Sequence, residues 1–239
     1  MSLQEIKFVK VSKQKVCDSD GGVLRCDMSH ERAPTDSVLF TPDELRLLGD
    51  EAFFRAKARI MKKMRAVLDG VYGGLQKELT GVELLAPEGF NPSAHQFVKG
   101  EHLEDCPYQY LDFFKHFDGE VKFTFRTLLW WGHHIVFALI LEGGHLAQYK
   151  KNLMNRYEAV ADLGLSLCLG STPWEWKRGE GYTMELTGER KSELQALLDR
   201  RSFVKLARFV PFDDPIVQQG RVPEIAAATL RQLLPVITP

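Results

Sequence analysis

The stretch VKFTFRTLLWWGHHIVFALIL, from Val121 to Leu141, decides the fold class. Its two halves are rich in β-branched and aromatic residues, and Gly132-His133 between them is typical of a turn. We therefore predict a hairpin of two long strands over 121–141. Apolar residues occupy both odd and even positions, so neither face of the hairpin suits water. The hairpin is predicted to lie inside a sheet, covered on both faces.

The register of this hairpin decides which side chains share a face. If Trp131 pairs with His134, Arg126 lies with Trp130 and with the odd-numbered residues of the second strand. A guanidinium on a largely apolar face needs a partner, because an unpaired buried charge is very costly. We expect that partner to be Asp112, which would tie the preceding segment to the sheet, or else an acidic ligand.

Two further elements are predicted on the N-terminal side of the hairpin. Alternating residues around the turn-forming run 18–22 favour a short N-terminal hairpin at about 5–27. Thr41-Pro42-Asp43-Glu44 is a capping box with proline at the first helical position, and apolar residues then recur at helical spacing. This pattern predicts one long helix over about 42–79, with glycines that kink or break it.

The remaining segments complete the order ββ-α-loop-ββ-α-ββ-α-β-α. Hairpins outnumber strand–helix–strand units in this order, which favours an α+β fold with a mostly antiparallel sheet and helices packed on it. No linker or internal repeat is evident, so residues 1–239 are predicted to form a single domain.

Composition excludes several classes of function. The chain has 239 residues and a formal charge of −1, so bulk attraction to nucleic acid or to an anionic membrane is not predicted. The longest apolar stretch, Leu128 to Leu141, is interrupted by Gly132 and two histidines and is too short to span a bilayer. No secretory signal is evident, and we predict a cytoplasmic protein that does not contact a membrane.

Cysteine spacing and short motifs narrow the chemistry further. The four cysteines form no CxxC pair, so they are predicted to be free thiols. The group at 17–30, with two cysteines, three aspartates and His30, is better explained by a hairpin turn than by a metal site. GxSxG, GxxxxGK[ST], GxGxxG and HExxH are all absent. No metal or cofactor is predicted.

The best candidate site lies between the segment 92–110 and the hairpin 121–141. Residues 85–118 contain three prolines and are predicted to form a long loop, a feature that is often functional. Folded over the hairpin, this loop would bring polar and aromatic groups together. The candidate ligand-binding residues are His95, Lys99, His102, Tyr108, Arg126, Trp130, Trp131 and His134. The structural alternative is that the tryptophans are core and the histidines lie at the hairpin tip.

Three functions remain open for this chain. The first is an intracellular ligand-binding or accessory protein that uses the candidate site. The second is an enzyme acting there on a small anionic substrate, with a histidine as acid–base and Arg126 as the anion anchor. The third is association with nucleic acid through the basic residues of helix 55–65, although these also suit the solvated face of an amphipathic helix.

One sequence pattern resembles known proteins. Lys99-Gly100 followed by PYxxLD from Pro107 to Asp112, and then RTxxWWG from Arg126 to Gly132, resembles a set of uncharacterised bacterial proteins. The hairpin and its surroundings are similar to the YktB-like family, which is also uncharacterised. The resemblance covers 99–144. It implies a bacterial protein of unknown function and carries no catalytic residue.

Overall fold

A computed structural model describes residues 39–239. The predicted hairpin at about 5–27 and the group at 17–30 lie outside the described residues. Contacts divide the chain into two units, 1–49 and 50–239, and each is described by itself. The described part of the first unit contains one helix, α1 (Pro42–Leu48), which begins with the predicted capping box at Thr41 and Glu44. A single domain over 1–239 therefore stays a prediction.

The helical run predicted over about 42–79 is broken at Gly49, one of the glycines expected to kink or break it. α2 (Glu51–Glu78) begins at a new cap, where the Asp50 side chain accepts a hydrogen bond from the Phe53 amide at 2.8 Å. Gly70 does not break α2. It lies against α6 (Val222–Ile237), where a Cβ would stand 3.2 Å from Pro223, so the glycine serves close helix packing.

Within residues 39–239, seven strands form one sheet in the order β1-β2-β3-β4-β7-β5-β6. Every neighbouring pair is antiparallel, which confirms the predicted α+β class and sheet type. The strands are β1 (Gln96–Leu103), β2 (Cys106–Asp118), β3 (Val121–Trp130), β4 (His134–Glu142), β5 (Ser166–Cys168), β6 (Thr183–Glu185) and β7 (Phe203–Pro211). The other helices are α3 (Leu146–Asn155), α4 (Lys191–Leu198) and α5 (Pro215–Gln218).

The central hairpin is β3–β4, and both strands lie inside the sheet as predicted, between β2 and β7. The predicted register is wrong by one residue, because Trp130 rather than Trp131 pairs with His134. The turn therefore holds three residues, with Gly132 at a φ of 73° that a side chain would disfavour. The shift moves the even-numbered residues of β4 onto the face of Arg126.

The prediction of a loop over 85–118 is also wrong for most of these residues. Residues 96–118 form the long hairpin β1–β2, which turns at Glu104 and Asp105, both with positive φ. A bulge between Phe113 and His116 interrupts the alternation along β2. The segment 92–110 is therefore mostly sheet, and it extends the central hairpin edge to edge instead of folding over it.

The two faces of the sheet are covered differently. The helix-covered face packs Phe125, Leu139 and Leu206 against α2, α3, α4 and α6 in the main core. The loop-covered face carries a smaller cluster, in which Trp130 and Ala138 pack with Trp176 from the segment 169–182. Polar side chains of the loop-covered face must find partners in that segment or within the sheet.

Candidate functional site

A buried ion pair fixes the middle of the loop-covered face. Arg126 and Asp112 stand opposite each other in β3 and β2, and Nε and Nη2 of Arg126 donate to the Asp112 carboxylate at 2.6 and 2.8 Å. Only 8% of the arginine side chain and 1% of the aspartate side chain are exposed. The predicted partner of Arg126 is therefore confirmed as Asp112, in the bidentate geometry that suits a carboxylate.

Aromatic rings surround this guanidinium. The Arg126 Cζ atom lies 3.8 Å from the ring centroid of Tyr110 and 4.9 Å from that of Trp174. A cavity of about 200 Å³ opens beside it, which we name the aromatic pocket. Its lining residues are Leu103, Tyr108, Tyr110, Arg126, Leu128, Trp174 and Trp176.

Lys205 holds the covering segment in place. It is fully buried on β7, its Nζ lies 3.6 Å from the Trp176 ring centroid, and it donates to the carbonyl oxygens of Pro173 and Glu175. Burial lowers the pKa of Lys205 to about 8. Sequence reasoning missed this residue, although a lone lysine within the apolar run of 203–210 was a signal that could have identified it.

Of the eight predicted site residues, two line the aromatic pocket: Tyr108 and Arg126. Trp130 lies in the core beside it, and its Nε1 donates to the Leu103 carbonyl at 2.9 Å. His134 is buried, its Nε2 lies 3.2 Å from the Trp176 carbonyl oxygen, and burial lowers its pKa. Neither Trp130 nor His134 reaches the cavity.

The other four predicted residues lie elsewhere. Trp131 is on the opposite side of the sheet, where its Nε1 contacts the sulfur of Met64 at 2.8 Å. His95 packs on Tyr72 with ring centroids 4.4 Å apart, and His102 is exposed on β1. Lys99 lines a second cavity. The prediction of one joint site is therefore wrong, because the pleat and the edge-to-edge pairing of the two hairpins separate its residues.

The second cavity lies between α2 and the edge strand β1, and we name it the basic cleft. Its volume is about 800 Å³. One wall is a single face of α2, and the other includes five consecutive residues of β1. The lining residues are Phe54, Lys57, Ala58, Met61, Lys62, Arg65, Leu68, Phe97, Val98, Lys99, Gly100, Glu101 and Gln109.

Positive charge dominates the basic cleft: among the residues that the structure describes, four cationic side chains and one acid, Glu101, line it. Lys57 is paired with Glu101 at 2.5 Å. Arg65 donates to Asp69 at 2.9 Å, and its Cζ covers the Phe97 ring at 3.7 Å. No salt bridge joins Lys62 or Lys99 to an acid within residues 39–239.

The basic cluster predicted for helix 55–65 is divided by the geometry of α2. Lys57, Lys62 and Arg65 point into the basic cleft, where Lys99 from β1 joins them. Lys63 lines a separate apolar groove on the other side of the helix. Helical spacing separates Lys63 from the other three cations, whereas the cleft itself depends on how α2 lies beside β1.

Comparisons with protein-family models, curated proteins and solved structures find no match to this chain. The resemblance over 99–144 therefore stays a prediction. None of the described helices combines the length and apolar character needed to cross a membrane. Within residues 39–239 no three His, Cys, Asp or Glu side chains converge to hold a metal ion, and Cys106 and Cys168 are free thiols.

Proposed function

We propose that this chain is a binding protein that takes an extended, acidic polypeptide segment in the basic cleft. One observation carries the proposal: a helix face and an edge strand form the two walls of a large cleft lined by four cations. This arrangement suits strand addition, in which an extended peptide pairs with a sheet edge and its side chains fill pockets beside it.

The edge strand β1 is the first feature that supports strand addition. Within the described chain β1 pairs only with β2, so its other edge has backbone N–H and C=O groups without sheet partners. In the part of the chain that the structure describes, the opposite edge of the sheet is β6, which has three residues. β1 has eight residues, long enough to receive a peptide. Residues 97–101 line the cleft consecutively, although successive side chains of a strand point to opposite faces of the sheet. The cleft wall therefore includes the backbone edge of β1 and not only one face of the sheet.

The charge and the apolar surface of the cleft are the second feature that supports an acidic peptide. Lys62 and Lys99 reach the cleft without acidic partners in the described chain, and they complement carboxylate side chains on a peptide. Phe54 and Met61 add apolar surface to the same lining. Cationic side chains at a solvent-open site steer association and exclude basic partners, whereas main-chain hydrogen bonds and apolar contacts supply most of the affinity.

The two alternatives fit the geometry less well. An enzyme with histidine acid–base chemistry does not fit the aromatic pocket or the basic cleft, because no imidazole of the described residues lines either one; His133 and His134 line a separate cavity. A nucleic-acid strand would need exposed rings for its bases as well as cations for its phosphates. Of the two described rings that line the cleft, Phe97 is already covered by Arg65, which leaves Phe54 alone for base stacking. The proposal includes a cytoplasmic location, where Cys106 and Cys168 would stay reduced.

Charge reversal in the cleft tests the proposal. The Lys62→Glu/Lys99→Glu double variant is expected to lose at least about tenfold in affinity for a labelled peptide of alternating Glu and Val residues, because two attractive contacts become repulsive. Fluorescence anisotropy measures the dissociation constant. Lys63→Glu is the matched control: it lies on the same helix but lines the other groove, and it should leave the affinity nearly unchanged.

Changes to the peptide backbone test strand addition directly. Two versions of the peptide carry backbone N-methyl groups at odd or at even positions, and only one set of N–H groups can face β1. One version should therefore lose binding while the other retains it. Equal binding by both versions would rule out strand addition. Tighter binding of single-stranded oligothymidylate than of the peptide, abolished by the same double variant, would replace the proposal with the nucleic-acid alternative.

A further inference from the structure

The aromatic pocket contains a guanidinium nitrogen that lacks a well-aligned acceptor in the described chain. Nε and Nη2 of Arg126 are bound to Asp112, whereas Nη1 forms no hydrogen bond of good geometry with residues 39–239, although the Tyr110 hydroxyl interacts with the guanidinium. Nη1 is absent from the set of fully buried side-chain nitrogen and oxygen atoms that have no hydrogen-bond partner in residues 39–239. Nη1 is therefore in contact with solvent. Because Arg126 lines the cavity and 8% of its side chain is exposed, this donor is offered to the pocket.

The walls of the pocket are mostly ring faces. Tyr108 and Tyr110 are parallel to within 4°, with their centroids 6.0 Å apart. Trp174 stands at the mouth with 39% of its surface exposed, and Trp176 is buried deeper, over Lys205. Most of the wall therefore favours stacking, and Arg126 adds one fixed, directional donor.

Size and charge limit what can enter. A cavity of about 200 Å³ is smaller than the roughly 300–1,000 Å³ of sites for drug-sized ligands, so it suits one ring and not a whole nucleotide. The rings already stack on the Arg126 guanidinium, and Lys205 lies behind Trp176, so a cationic ligand would meet like charge. A small anion without a ring would leave the aromatic walls unused.

We infer that the aromatic pocket is a binding site for a single flat heteroaromatic ring with an acceptor atom on its edge, the chemistry of a nucleobase. The ring stacks on the exposed face of Trp174 and accepts a hydrogen bond from Nη1 of Arg126. The site lies on the loop-covered face, and none of its residues lines the basic cleft. The inference therefore stands independently of the proposed peptide function.

Ligand-observed NMR and calorimetry with free nucleosides test this site. Uridine and guanosine are expected to bind saturably, and Trp174→Ala should weaken that binding about tenfold or more, as expected for loss of a base-stacking ring. Trp174→Phe should retain most of the affinity. Phe53→Ala, which removes an exposed ring on α2, should change nothing. Thermal melts establish that each variant is folded, which is expected because Trp174 is substantially exposed.

Further probes test separately the need for a ring, for an edge acceptor and for a neutral ligand. Toluene supplies a ring without an edge acceptor and should bind at least several-fold more weakly than uridine, because Nη1 gains no partner. Tetramethylammonium and acetate should show no saturable binding. The inference is overturned if nucleosides do not bind, if Trp174→Ala leaves their affinity unchanged, or if toluene or tetramethylammonium binds as well as uridine.

Discussion

Replacing Arg126 by alanine is expected to lower the free energy of unfolding by about 3–5 kcal/mol, because the change leaves the Asp112 carboxylate buried without its partner. The aspartate is completely buried, and its carboxylate oxygens accept from Nε and Nη2 of Arg126. Within residues 39–239 no second cation is bound to this carboxylate to replace the guanidinium. Urea-induced unfolding, followed by circular dichroism, measures the effect.

Two controls separate burial from charge. Arg65→Ala removes a guanidinium from the exposed pair with Asp69 and from the face of the Phe97 ring, and should cost no more than about 2 kcal/mol. Asp112→Leu/Arg126→Met replaces both partners by apolar side chains and should recover much of the loss, since no charge is then left unpaired. A cost for Arg126→Ala as small as that for Arg65→Ala would mean that the Asp112 site is open to water.

The success and failure of the sequence predictions have physical causes. The interior position of the central hairpin could be predicted because apolar side chains at both odd and even positions leave no face for water. The pairing of Arg126 with Asp112 could be predicted because a buried charge needs a partner. The register could not be predicted, because Trp130 and Trp131 are equally suited to pair with His134. A slip of one residue moves every later side chain to the other face of the sheet.

The hairpin β1–β2 was harder to detect. Gly100 and Pro107 are typical of loops, and the bulge at Phe114, whose φ is 41°, places neighbouring phenylalanines in the same core. Period-two alternation is therefore lost where the strand is longest. The basic cleft depends on the packing of α2 beside β1, which brings Lys62 and Lys99 to one cavity and which no local pattern encodes. Lys205 was missed because a lysine in a strand is ordinarily expected to reach water with its amine.

The free energy of unfolding is expected to contain a component from Lys205 that rises with pH between about 8 and 10.5. Burial holds the pKa of this amine at about 8 in the folded protein, whereas the unfolded chain has the ordinary value of 10.5. Within that window the unfolded chain binds more protons, so raising the pH favours the folded state. Below pH 8 the amine is protonated in both states and the component is flat. Its full size is about 3 kcal/mol, at roughly 1.36 kcal/mol for each unit of pKa.

Measuring this component requires a difference between variants, because other groups titrate in the same range. Burial raises the pKa of the nearby Cys168 thiol, which makes stability fall as pH rises above its ordinary value of 9.0. Denaturant unfolding is therefore compared for Cys168→Ala and Cys168→Ala/Lys205→Met at several pH values from 7 to 10.5. The stability of the first relative to the second should increase by about 3 kcal/mol across the window. A difference that stays constant would show that the Lys205 amine keeps its ordinary pKa, and hence that water reaches it beneath the segment 169–182.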